Sequence, residues 1–337
     1  MVLKIGSKSE DAKRLQAGLN FLGFKSGTAD GNFGHLTELA VVAFQTRYKL
    51  YADGIAGPST LKTYNKVLKA AGGVAEVTYG LVVEVPAPLS PPPTEDVLLA
   101  WEKCRADIAP GSGGYNHLTL RADTAAAYQK VYDEVRRLGG LLTTAGGKRS
   151  LSAAMSSSRS QTSFHYTGRA FDLATDTGMQ HPLKDPYLVV RNTAPDGSRM
   201  WTVWCRSTMP LATLLNLAPA TVPCVSLIEN VTKVVTKKGA KGKPYTQILT
   251  EPVLADAFNL TALLARNGFL PISGRLSFFQ GGEYGGAEWW HFQNVLGLTV
   301  GVSTFGKELR RVYSEAECQK LPQWDEVKDR QYGVSWF

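Results

Sequence analysis

The sequence predicts an α+β protein in two domains: a small all-α unit of three helices, then a larger α+β unit built on a small antiparallel sheet. Three observations predict it. Proline interrupts the chain near residue 90, an internal repeat occupies the first seventy residues, and an amphipathic helix leads into a strand-like run after residue 120. A length of 337 residues suits two domains, at roughly 100–200 residues each. With 44% hydrophobic and 20% charged residues, a largely disordered chain is excluded.

The boundary is Val85-Pro-Ala-Pro-Leu-Ser-Pro-Pro-Pro-Thr94, in which proline denies amide donors to any helix or sheet and favours an extended spacer. It divides the chain into domains at 1–72 and 96–337, joined by a linker at 73–95. Within the first, Asp30-Gly-Asn-Phe-Gly-His-Leu-Thr37 recurs as Asp53-Gly-Ile-Ala-Gly-Pro-Ser-Thr60, displaced by 23 residues. Each copy reads as a tight turn entering a helix, with Thr37 or Thr60 suited to cap it. Leu15, Leu19 and Leu22 before the first turn share one helical face, as do Ala40, Val41, Phe44 and Tyr48 after it. In the second domain, Thr124 to Leu138 places Tyr128, Val131, Tyr132, Val135 and Leu138 on one side of a helix. The run Leu141-Leu-Thr-Thr-Ala145 then reads as a strand.

The formal charge of +8 comes from 37 Lys and Arg against 29 Asp and Glu. Residues 1–70 hold ten of those bases and five of the acids, so the small domain is the basic one. That favours an anionic partner such as nucleic acid, an anionic lipid surface or an acidic wall polymer, among which charge alone does not choose; no recognisable nucleic-acid motif is present. No apolar run, Leu211 to Ala220 included, approaches the roughly 20 residues of a membrane span. The start, Met1-Val-Leu-Lys-Ile-Gly-Ser7, lacks the pattern of a secretory signal, so the expectation is synthesis in the cytoplasm without an export signal, with a secreted bacterial enzyme as the alternative if a signal precedes this sequence. Of the four cysteines none forms a Cys-x-x-Cys pair; Cys205 and Cys224 are candidates for a bridge, with buried free thiols the favoured reading.

The string Leu15-Gln16 … Asp30-Gly-x-Phe-Gly-x-x-Thr37 … Ala40-Val41 … Phe44-Gln45 … Asp53-Gly-Ile-Ala-Gly-x-x-Thr60 resembles the peptidoglycan-binding three-helix domain of cell-wall hydrolases. The resemblance implies bacterial peptidoglycan as the partner of this domain.

Two of the five histidines stand in motifs, Ser163-Phe-His165-Tyr-Thr-Gly168-Arg-Ala170-Phe-Asp172 and Glu288-Trp289-Trp290-His291. A hydrolytic zinc site takes three protein ligands and keeps the fourth position for water. Imidazole and carboxylate are the usual non-thiolate ligands, so His165, Asp172 and His291 form a complete set, with Gly168 supplying the turn between the first two. Glu288, three residues before His291, is placed to take a proton from water at such a centre.

Ser-x-His-x-x-Gly-x-Ala-x-Asp followed by Glu-x-x-His resembles the zinc D-alanyl-D-alanine peptidase family, which includes carboxypeptidases, dipeptidases and phage L-alanyl-D-glutamate endopeptidases. The resemblance implies one zinc ion on His165, Asp172 and His291, Glu288 as catalytic base, and a small antiparallel sheet carrying the ligands. In the family a Gly-Tyr-Arg-Ser-like turn brings an arginine to the active site. Arg149 of Gly147-Lys148-Arg149-Ser150 matches it, with Arg159 as competitor. Asp172 and Glu288 lie 116 positions apart, about twice the family's spacing, which implies an insertion around 185–250. Its basic run Lys233 to Lys243 reads as a hairpin tip or mobile loop. Trp289 and Trp290 read as core residues fixing Glu288 and His291, Asp176 as a candidate partner of a ligand, and His117 and His181 as surface or structural.

The expected protein is therefore a monomeric, wall-anchored zinc peptidase of the endolysin kind, acting at the bacterial wall. L-Ala–D-Glu cleavage is favoured, D-alanyl-D-alanine carboxypeptidase activity is the alternative, and a non-catalytic wall-binding protein is the reading from a different class.

Overall fold

The structure is a computed structural model that describes residues 3–48, 50, 54–71, 98–153, 160–192, 199–238, 244–299, 302–332 and 336. The proline-rich linker and Arg159 lie outside the described residues. The chain forms two compact units. One comprises Met1–Pro92, Asn192–Ser198 and Leu215–Cys224, the other Pro93–Arg191, Arg199–Leu214 and Val225–Phe337.

The N-terminal part of the first unit is three helices, α1 (Glu10–Phe21), α2 (His35–Arg47) and α3 (Pro58–Ala70). Ser9 caps α1 by accepting from the Ala12 N–H, and Glu10 and Asp11 place negative charge at its positive end. Leu15, Leu19, Phe24, Phe33, Val41, Phe44, Tyr64 and Leu68 pack into one core. A side chain at Gly18 would collide with the Tyr64 hydroxyl, which donates to the Arg14 carbonyl, so the close approach of α3 to α1 requires glycine there.

The repeat is held together differently from the expectation. Thr37 and Thr60 are not caps; Gly34 and Gly57 occupy the N-cap positions without a side-chain bond. Instead each threonine, one turn inside its helix, receives a hydrogen bond from a buried glutamine of the preceding helix. Gln16 donates to the Thr37 hydroxyl at 2.9 Å, to the Asn32 carbonyl at 2.9 Å and to Asp30 at 3.1 Å, and accepts from the Gly31 N–H at 2.8 Å. Gln45 repeats this with the Thr60 hydroxyl, the Ile55 carbonyl and the Gly54 N–H. A buried amide that leaves no group unpaired fixes each turn against the helix before it.

In the second unit β1 (Trp101–Arg105) and β2 (His117–Arg121) form an antiparallel pair, and α4 (Ala122–Arg137) buries Ala125, Tyr128, Val131 and Val135 as its periodicity predicts. The strand expected at 141–145 does not form. Two of its amides are taken by side chains, Leu142 donating to Asp107 and Thr143 to the Tyr187 hydroxyl, while the Ala145 N–H goes to the Asp172 carbonyl. Only single bridges at Thr143 and Gly146 remain.

Then follow β3 (Ala170–Asp172), β4 (Tyr187–Arg191), β5 (Trp201–Arg206), α5 (Leu211–Leu217), β6 (Cys224–Lys238) and β7 (Pro244–Asn259). Strands β4, β5, β7 and β6 close into a barrel in that order. About half of residues 185–250 lie in the strands of this barrel, whose own core includes Leu188, Ile228, Val231, Val253 and Ala257. Lys233 to Lys238 continue β6 and are not part of a loop, while 239–243 lie outside the described residues. All four cysteines are free; Cys205 is fully buried, and burial pushes its thiol up to about 12.

The chain closes with α6 (Leu260–Ala265), β8 (Phe269–Pro271), α7 (Leu276–Phe279), β9 (His291–Asn294), α8 (Phe305–Arg310), α9 (Glu315–Cys318) and α10 (Trp324–Val327). β9 lies between β3 and β8 in a three-stranded antiparallel sheet. Helices and a sheet of this kind, after the three-helix segment, make the chain α+β.

Candidate metal centre

The short sheet brings two of the three expected ligands side by side. Asp172 and His291 are direct partners across β3 and β9, so their side chains leave the same face. Phe171 and Phe292 point the other way, stacked at 5.9 Å in the core. His165 arrives from the turn before β3. That turn reverses at Gly168, whose φ of +69° suits glycine. A Cβ there would also come within 2.5 Å of the Trp101 ring. Phe164, stacked on Trp336 at 4.8 Å, anchors the turn from behind, and the Trp336 indole donates to the Thr162 carbonyl.

A buried ionic cluster holds the base of the same turn. Glu308 of α8 accepts from Arg121 at 2.7 Å and Arg169 at 2.8 Å, while Arg121 also pairs with Asp123. Arg169 donates further to the carbonyls of Asn294 and Leu296, tying the residue after Gly168 to the end of β9. Burial raises the Glu308 carboxyl, but the two guanidiniums outweigh it and hold it below its ordinary value. Burial pushes the Arg169 guanidinium down to about 10.

The three candidate ligands converge. His165 Nε2 lies 3.2 Å from Asp172 Oδ2 and 3.3 Å from His291 Nδ1, and His291 Nδ1 lies 2.9 Å from Asp172 Oδ1. His165 Nδ1 is against the Gly147 carbonyl at 2.5 Å. A proton on Nδ1 donates there and leaves Nε2 as a bare lone pair, the second-sphere contact typical of a metal-binding histidine. Four ligands at Zn–N and Zn–O distances of about 2.0–2.2 Å in a tetrahedron stand about 3.3–3.6 Å apart, close to the separations found. Burial raises the Asp172 carboxyl, yet its contacts with His165 and His291 outweigh that and lower it. Two imidazoles and a carboxylate, with all three atoms within 4.8 Å of one another, fit a zinc ion.

Glu288 sits on the approach to β9. Its carbonyl accepts from the His291 N–H at 3.2 Å, and its backbone is left-handed with φ +55°. Such a conformation in a non-glycine residue persists only where its surroundings impose it. The Trp201 indole donates to the Ala287 carbonyl at 2.6 Å, and Ala287 N–H closes a tight turn onto Tyr284. Trp289 and Trp290 are core residues, with the Trp289 indole donating to the Tyr284 hydroxyl. The carboxylate of Glu288 is paired with Arg275, a residue that sequence reasoning missed because no motif contains it.

Arg149 reaches the site's edge through its backbone, its N–H donating to the His165 carbonyl, while its guanidinium lies 5.6 Å over the Tyr166 ring. Neighbouring Lys148 stands 3.9 Å over the Trp101 ring. Asp176 is not beside a ligand; it accepts the Gly113 N–H at 2.6 Å. His117 is exposed against Asn116, and His181 is likewise exposed.

Comparison with known proteins follows the same division. Residues 8–63 match the family model described as "Putative peptidoglycan binding domain". The N-acetylmuramoyl-L-alanine amidase CwlM of Mycobacterium tuberculosis is 32% identical over 150 residues, 42% of this chain and 34% of that protein. The zinc D-Ala-D-Ala carboxypeptidase of Streptomyces albus G is 30% identical over 176 residues, 51% of this chain and 60% of that protein, so the match extends past residues 8–63. The spore cortex-lytic enzyme of Bacillus cereus is 38% identical over 68 residues, 20% of this chain and 26% of that protein. The chain thus spans between about a quarter and 60% of the length of these relatives. It carries a peptidoglycan-binding domain at its N-terminus, and its relatives are peptidoglycan hydrolases.

Proposed function

We propose that the protein is a zinc-dependent peptidase that hydrolyses an amide bond of the peptidoglycan stem peptide, held on its polymer by the N-terminal domain. One observation carries the reading: His165, Asp172 and His291, from a turn and two paired strands, turn three lone-pair atoms to a common point. The name of the Streptomyces albus G relative, a zinc carboxypeptidase, supports zinc as the ion.

When bound, zinc would polarise the scissile carbonyl and ease the deprotonation of water. The chain's own residues do the rest. Glu288 takes the proton from the attacking water and returns it to the leaving amine. Arg149, or Arg159 in its place, would steady the negative charge that develops on the carbonyl oxygen. The Gly147 carbonyl keeps His165 in the tautomer that presents Nε2. Attachment through the basic N-terminal domain raises the local concentration of stem peptides.

Two bonds remain candidates. Resemblance to phage endopeptidases favours cleavage between L-Ala and D-Glu, and a wall-binding domain speaks against a dipeptidase acting on free dipeptide. The carboxypeptidase relative favours removal of the terminal D-alanine. Mass spectrometry of muropeptides from sacculi digested by the full chain decides: a new amino terminus on glutamate supports the first, and release of D-alanine alone the second. Unchanged muropeptides and no released D-alanine after digestion with zinc-loaded protein would leave only the wall-binding role.

A further inference from the structure

We propose that Arg275 is the positioning residue of Glu288, holding one oxygen of its carboxylate so that the other is left for the proton of the attacking water. The proposal rests on Glu288 being the general base.

Arg275 Nε donates to Glu288 Oε1 at 2.9 Å, and Nη2 lies 2.7 Å from the same oxygen. A guanidinium engaging a carboxylate for strength alone uses the fork, one nitrogen per oxygen. Here both contacts fall on the same oxygen, Oε1.

The frame around the pair is built to keep it. Arg275 N–H donates to the Gly286 carbonyl at 2.7 Å, closing the segment from 275 to 286 into a loop that starts at Arg275 and ends two residues before Glu288. A Cβ at Gly274 would come within 2.9 Å of the Ala287 carbonyl, so the ends touch without spacers. The inserted barrel clamps this loop from outside. Gly274 N–H donates to the Arg199 carbonyl, the Trp201 indole takes the Ala287 carbonyl, and Trp201 stacks on Phe279 at 5.4 Å. Trp201 is fully buried and opens β5, so the barrel reaches the residue next to the base. The left-handed backbone of Glu288 then aims its side chain at a fixed partner.

A purely structural salt bridge predicts something else. The Arg275 side chain is 38% exposed, and pairs of that exposure add little to stability. Removing it should then leave both melting temperature and turnover unchanged.

The test uses the full chain on purified sacculi, with zinc content and thermal midpoint measured for each variant. For Arg275→Ala we expect kcat to fall about 10- to 100-fold, with KM within about two-fold of wild type. Zinc content and melting temperature should stay unchanged, and Arg275→Lys should recover part of the loss. Adding Arg275→Ala to Glu288→Gln should cost nothing further, because both changes disable one unit. Wild-type kcat in Arg275→Ala overturns the proposal. So does a loss that multiplies with that of Glu288→Gln, or one that appears in KM alone, which would make Arg275 a substrate contact. A Glu288→Gln protein as active as wild type would instead remove the general-base reading itself.

Discussion

The N-terminal turns and the candidate metal centre are both built from buried polar side chains, and they treat those groups in opposite ways. At Gln16 each donor and acceptor of the amide has a partner from the adjoining turn, and Gln45 repeats the arrangement 29 residues later. At His165, Asp172 and His291 three electron-rich atoms face one another at 2.9–3.3 Å, with the one spare N–H of His165 directed away to Gly147. The first arrangement is complete within the protein. The second is a set of acceptors awaiting a cation or a proton. Polar burial that closes on itself makes structure, and polar burial that leaves lone pairs convergent makes a site.

The largest effect that would break this contrast is expected at the ligands. His165→Ala or His291→Ala should lose bound zinc and reduce sacculus hydrolysis by more than about a thousand-fold, with far-ultraviolet circular dichroism retained. A metal-free His165→Ala protein with full activity would falsify the centre. Behind the ligands, Glu308→Gln leaves Arg121 and Arg169 buried without their shared anion. It should cost about 3–5 kcal/mol in denaturant unfolding.

The sign with pH follows from the lowered carboxyl of Glu308. Its contribution is fully present above the ordinary glutamate range and is lost as pH falls through the depressed folded value. Acid unfolding below about pH 4 should therefore be less steep in Glu308→Gln than in wild type.

In the N-terminal unit Gln16→Leu strands the Gly31 N–H and should cost about 1–3 kcal/mol in that unit's unfolding, with kcat on soluble muropeptides unchanged. A comparable loss of kcat would show that the two polar clusters are not independent. The smallest effect is that of chelation. Removing zinc should lower the melting temperature of the second unit by a few degrees, because a ligand bound only to the folded state stabilises it by mass action, and leave the first unit's transition in place.

How much of this was legible in sequence depends on distance along the chain. The three helices, the turns between them and α4 follow from periodicity and Asp-Gly spacing, because the interactions that make them lie within a few tens of residues. The roles of Thr37 and Thr60 were misjudged for the same local reason: a threonine near a helix start reads as a cap until a glutamine from the previous helix is seen to reach it. That His165, Asp172 and His291 belong together was expected from the resemblance of their two motifs to a peptidase family and not from spacing alone, and the structure brings one ligand atom of each within 4.8 Å of the others. Arg275 was not legible, since an arginine thirteen residues before Glu288 carries no pattern. The strand expected at 141–145 does not form, because Asp107 and Tyr187 take the amides of Leu142 and Thr143.

Sequence alone determined the elements whose partners are local and the chemical identity of the groups at the site. Tertiary structure alone decided that Asp172 and His291 are neighbours across 119 residues, that about half of 185–250 goes into the strands of a barrel, and that this barrel grips the loop bearing Glu288. The physical reason is that strand pairing and side-chain hydrogen bonds between distant segments depend on which groups the fold brings within 3 Å or so, and no local pattern records that choice.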